Sequence, residues 1–167
     1  MNLLKDRQRP LKICVVNQEP RLVDRHLAAI ESELKKIYEV ELEKISSVDN
    51  IADQPCDLLI VIAHQLEAEE LVTWVKALGK RIEKNNAVSI PSLIIGQDLE
   101  VPSKDLMSFA ISENWYFDLI SAEHLGSLAI RAANLIRIHD HIHELGRYES
   151  TIKNLENQVK ELEEKLS

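Results

Sequence analysis

Four glycines in 167 residues leave no glycine-rich loop after a strand, so no phosphate cradle of that type is encoded. No apolar run approaches the ~20 residues that span a bilayer. The first ten residues are polar and of mixed charge, with no apolar core of signal-peptide type, which predicts a cytoplasmic protein. Basic residues are outnumbered, 20 Lys and Arg against 28 Asp and Glu, and the net charge of -8 argues against non-specific nucleic-acid binding by the whole chain. Only Cys14 and Cys56 could form a disulfide or share a metal, and no other thiol joins them. Both fall in or beside predicted strands, and they read as small buried hydrophobes in a reducing compartment. No nucleophile–base–orienter set and no metal motif of good spacing is visible, so no residue is assigned to catalysis and no cofactor is expected.

What is present is organised around Pro55-Cys-Asp-Leu-Leu-Ile-Val-Ile-Ala63. Leu58 to Ile62 are apolar without alternation and are bounded by turn residues, which suits a strand buried on both faces of a parallel sheet. The shortness of the run and Pro55 at its start favour a strand over a piece of buried helix. Before it, Leu11–Val16 reads as a strand and 21–36 as an amphipathic helix carrying Leu22, Val23, Leu27, Ile30 and Leu34, with His26 at the edge of its apolar face. Tyr38-Glu-Val-Glu-Leu42 alternates and reads as an edge strand, followed by a short helix near 48–52.

After the central strand, Leu71, Trp74, Val75, Leu78 and Ile82 mark a helix over 67–84. Ile90–Ile95 reads as a fourth strand ended by Gly96, a weak helix covers 103–110, and Trp115–Leu119 is the fifth strand candidate. Strands alternating with helices predict a doubly wound five-stranded parallel sheet of flavodoxin-like order. Ligands in such sheets bind at the carboxyl ends of the strands. That singles out Asn17, Gln18 and Glu19, then Ile62, Ala63 and His64, then Gly96 and Gln97, and finally Asp118.

With those positions aligned, residues 11–145 resemble a response-regulator receiver domain. The first strand, Ile13-Cys-Val-Val-Asn-Gln-Glu, is similar to the family's first strand, but Asn17 and Gln18 stand where the family has its two metal-binding acids. Cys56–Ile62 resembles the third strand, with Ile62 or Ala63 in place of the phosphoacceptor aspartate. Pro91–Gly96 resembles the fourth, with Gly96 for its Thr or Ser, and Asn114–Asp118 the fifth, with Asp118 for its lysine. A hard cation needs several oxygen ligands of this kind, and Glu19 alone does not supply them. The resemblance therefore implies a pseudo-receiver of two-component signalling, similar to those of circadian-clock proteins, with a vestigial pocket and no phosphorylation chemistry. It also implies a protein partner or a C-terminal output domain, for which a cyclic-dinucleotide synthase or a phosphatase would both fit. A flavodoxin-like sensor of a nucleotide, flavin or quinone is the alternative reading of the same rim.

The tail carries a second pattern. Leu145, Tyr148, Ile152, Leu155, Val159, Leu162 and Leu166 are spaced 3, 4, 3, 4, 3, 4. This is a heptad seam with Leu145, Ile152, Val159 and Leu166 at a and Tyr148, Leu155 and Leu162 at d; Ile and Val at a with Leu at d favour a parallel two-stranded coil and thus a homodimer. Upstream, Leu135, Ile138, Ile142 and Leu145 are spaced 3, 4, 3, so the seam shifts phase at Leu145 like a stammer, next to Gly146. A continuous helix, or a slight hinge at Gly146, is expected. The chain thus divides into an N-terminal arm (1–10), an α/β domain (11–145) and a coil (146–167). No stop signal follows the coil, which predicts a chain that continues past Ser167. His139, His141 and His143 cluster on this helix, and an exposed or interfacial histidine face is the expected reading over a shared metal at His139 and His143.

Overall fold

Leu58–Ala63 forms strand β3, and all six of its side chains are buried, as an apolar run without alternation requires. The chain is described by a computed structural model covering residues 10–17, 23–53, 56–63, 68–84, 90–96, 108 and 115–166. Around β3 lie β1 (Leu11–Asn17), β2 (Val40–Ile45), β4 (Ser92–Gly96) and β5 (Phe117–Ser121). Every pairing is parallel, in the order β2-β1-β3-β4-β5. The helices among the described residues are α1 (Val23–Leu34), α2 (Ala68–Lys84) and α3 (Leu128–Leu166), with 3-10 segments at Val48–Asp53 and Ala122–Ser127.

The sheet's two faces are sorted by the period-2 alternation of strand side chains. Ile13, Val15, Leu58, Ile60, Ile62, Leu93, Ile95 and Ile120 face α1 and the first half of α3. Cys14, Val16, Leu59, Val61, Ala63 and Ile94 face α2, the 48–53 segment and Trp115. Each fully buried Ile or Leu contributes about 1.5–3 kcal/mol of burial. Asp57 is structural: Lys12 N donates to its Oδ2 at 2.9 Å and its own N donates to the Lys12 carbonyl at 2.8 Å, which ties β3 to β1 at the amino end of the sheet.

The edge strand β2 begins two residues later than the alternation suggested, because Tyr38 is buried in the core ahead of the ladder. The fifth strand is likewise displaced to Phe117–Ser121. Trp115 is held before it in the core, its indole Nε1 donating to Ser92 Oγ at 3.0 Å and its ring 4.6 Å from that of Phe117. The helix expected over 103–110 lies outside the described residues except for Ser108.

Cys14 and Cys56 are free thiols. The hydrogen bond to Cys14, reinforced by burial, pushes the Cys56 thiol above the ordinary thiol range. A raised pKa means less thiolate, the reactive form, at any pH below it. Alkylation of Cys56 by iodoacetamide at pH 8 is therefore expected to be at least about tenfold slower in the folded chain than for free cysteine. Mass spectrometry of timed samples measures this, and a rate equal to that of free cysteine would contradict the burial.

α3 is one unbroken helix of 39 residues, about 58 Å long. It continues through Gly146 without a break. An added Cβ at Gly146 meets nothing within 4 Å. Gly146→Ala is expected to stabilise the helix by about 0.5–1 kcal/mol through lost unfolded-state freedom. A thermal melt followed at 222 nm should shift upward; a downward shift would reveal a contact at that position.

Candidate functional site

Strand order places the topological switch between β1 and β3, where one neighbour follows β1 and the other returns past it. The register fixes which residues share the carboxyl rim. Asn17 pairs with Ile62, Ile62 with Ile95, and Ile95 with Ile120; one step further, Ala63 pairs with Gly96 and Gly96 with Ser121. Ile62, Ala63 and Gly96 are therefore brought to the rim together. Ile62 and Ala63 are both buried. Gln18, Glu19, His64 and Gln97, and the side chain of Asn17, lie outside the described residues.

Asp118 does not belong to this rim. It pairs with Leu93, three residues before Ser121 along β5. Its Oδ2 accepts from Arg131 Nη1 at 2.8 Å, and the same Nη1 also reaches the Leu119 carbonyl at 3.3 Å. Asp118 thus fastens α3 to β5 on the flank of the sheet. The displacement has a simple cause: the strand starts after Trp115 and Tyr116, so its last residue is Ser121. Ser121 Oγ accepts from Glu123 N at 3.3 Å and caps the 3-10 turn. Counting from Gly96 through the ladder would have found Ser121, but the ladder is not visible in one sequence.

The tail helix is a second surface. Its domain-facing side ends near Ile136, and His139 is partly covered. From Asp140 to Glu164 every residue is exposed. The apolar residues of the heptad from Leu145 to Leu162 expose between 53% (Val159) and 61% (Leu145) of their surface. Leu135, by contrast, is buried in the domain core beside Leu128, Ala132 and Ile136. The shift of phase at Leu145 is therefore not an irregularity within one seam. Leu135 belongs to the stripe that docks the domain, and Leu145 to the stripe that points away from it.

The histidines follow the same division. His139 and His143 lie with ring centroids 4.4 Å apart, edge to face, and the His141 side chain is 63% exposed. Among the described residues no group of three or more His, Cys, Asp or Glu is placed to hold a metal. Among them, too, no helix is long and apolar enough to cross a membrane.

No family model matches the chain, and no curated protein matches it. Solved structures do match. The signal receiver domain of an HD domain-containing protein from Pseudomonas fluorescens Pf-5 superposes with a TM-score of 0.52 at 17% identity, over 81% of this chain and 93% of that one. The lysine decarboxylase LdcF of Francisella novicida superposes with a TM-score of 0.54 at 12% identity, over 78% of this chain. The chain spans only 18% of the decarboxylase. At these identities the similarity is one of fold: a receiver-like, flavodoxin-like α/β domain extended by a long C-terminal helix.

Proposed function

We propose that this chain is a non-catalytic signal-transduction module of the cytoplasm. It is a pseudo-receiver that dimerises through a parallel coil and acts on a protein partner or on an output domain. The observation that carries the reading is the exposed heptad on a helix rooted in a receiver-like core: six regularly spaced apolar positions from Leu145 to Leu162, each more than half exposed among the described residues. A stripe this narrow and this regular fits a second helix of the same kind.

Charge supports the parallel orientation. The e positions are Glu149, Glu156 and Glu163, while the g positions Thr151 and Gln158 are neutral. Parallel helices set g against e, so Thr151 meets the partner's Glu156 and Gln158 meets the partner's Glu163. Antiparallel helices would set the glutamate rows against each other. One like-charge pair, Glu144 with the partner's Glu149, remains in the parallel arrangement.

The rim supports the loss of phosphorylation chemistry. Ile62, Ala63 and Gly96 offer no carboxylate to accept a phosphoryl group, and Asp118 is engaged with Arg131 away from the rim. Titration with magnesium and beryllofluoride, a phosphoryl mimic, is expected to leave the amide spectrum unchanged. Shifts at Asn17 and Ile62 would overturn the pseudo-receiver reading. Shifts produced by a nucleotide or flavin would favour a sensor instead.

A further inference from the structure

The heptad frame of the tail can be carried upstream through the domain-bound half of α3 without any change of phase. Doing so assigns g to Ile130 and Arg137, a to Arg131 and Ile138, and d to Asn134 and His141. None of these six residues is buried. The buried residues of the same stretch, Leu128, Ala129, Ala132, Ala133, Leu135 and Ile136, fall at e, f, b, c, e and f. From Leu128 to Ile136 the sorting is complete: b, c, e and f are buried against the domain, and a, d and g are left outside. The midlines of the two stripes lie about 180° apart around the helix axis, so occupancy of one does not obstruct the other.

We infer that the second copy docks along the back of the domain-bound half of α3 as well as along the tail, with Ile138 and His141 as continuous layers of the seam and Asn134 at its upper end. This rests on the parallel dimer proposed above and deepens it. The occupant is a second copy because the frame is the one that runs through Leu145 to Leu166 and no other helix need share it. Ile138, at 46% exposure, is an apolar a residue standing in solvent in line with Ile152 and Val159. Asn134 and His141 at d are polar layers. Such layers lower stability and favour in-register pairing, since each meets its own equivalent. Arg131 at a is drawn aside to Asp118, which marks where the seam gives way to the domain flank. The consequence is an interface that includes the domain, with the two sheets carried on opposite outer sides of the helix pair.

The test is symmetric disulfide trapping in the full chain under mild oxidation, with Cys14 and Cys56 retained and the unsubstituted chain as background. Ile138→Cys probes the inferred layer, Val159→Cys the distal seam, and Asp140→Cys an exposed c position next to the layer. A disulfide needs Cα atoms within about 7 Å, which a and d layers of paired helices provide and c positions do not. Ile138→Cys and Val159→Cys are expected to yield covalent dimer within about twofold of each other, and at least about tenfold above Asp140→Cys. Trapping at Val159→Cys with Ile138→Cys no better than Asp140→Cys would overturn the extension and leave the coil standing. Failure at both, with a single-chain mass, would overturn the dimer itself. As a measure that needs no oxidation, Ile138→Lys should raise the dimer dissociation constant at least about tenfold, and an unchanged constant would count against the inference.

Discussion

Leu155→Lys is expected to convert the dimer to single chains in light scattering. Leu155 is a d residue in the middle of the seam, and its side chain is 54% exposed in the isolated chain. In the paired coil both copies lose their exposure, so the substitution removes two leucines, each worth about 1.5–3 kcal/mol of burial. It also places two ammonium groups face to face in one layer. The sum, about 5 kcal/mol, corresponds to a change of some three to four decades in the dissociation constant. A second readout follows from helix physics. A lone amphipathic helix projecting into water has little beyond its own hydrogen bonds to hold it. The ellipticity at 222 nm should therefore fall together with the mass, while the α/β domain keeps its own transition. A dimer that survives the substitution would move the interface into the globular part.

Trp115→Ala is expected to have the largest effect within the domain. Trp115 is 2% exposed and fills the space between the amino end of β4 and the start of β5. Truncation removes the indole's burial, its tilted contact with Phe117 and its hydrogen bond to Ser92 Oγ. Large-to-small changes of this kind cost about 3–5 kcal/mol. Ser92 Oγ keeps one bond of its own, to the Ile90 carbonyl at 3.2 Å, so the loss is dominated by the cavity. Trp115→Phe keeps much of the volume and should cost clearly less. Urea titration followed by far-ultraviolet circular dichroism gives both values. A cost below about 1 kcal/mol for the alanine variant would show that β5 is held by something else.

Much of the fold was legible because the central strands are buried on both faces, and burial writes itself into a sequence as an uninterrupted apolar run. Leu58–Ala63 and Leu93–Ile95 are of this kind. The alternating edge strand β2 and the fifth strand were placed with errors of about two residues, of the size usual at element boundaries. In both cases a buried aromatic, Tyr38 or Trp115, looked like strand but packs ahead of the ladder. That error of two in β5 is what carried Asp118 into the rim: side-chain direction and depth along a strand depend on register, and register is a relation between strands. The long helix of the tail was legible because helical periodicity is local. The assignment of Leu135 was not, since a helix that serves two faces superimposes two periodic patterns, and only burial separates them.

The absence of any break in α3 between the domain and the tail has a genetic consequence. In a continuous helix, direction is inherited from residue to residue. One residue inserted near Gly146 turns everything beyond it by about 100° and moves it by about 1.5 Å. Seven inserted residues turn it by almost two whole revolutions, about 20° short, while adding about 10 Å of length. The connection should therefore be indifferent to length and intolerant of phase. Among variants with one to seven residues added there, those with four, and above all seven, should behave like the parent, and those with two or five should not.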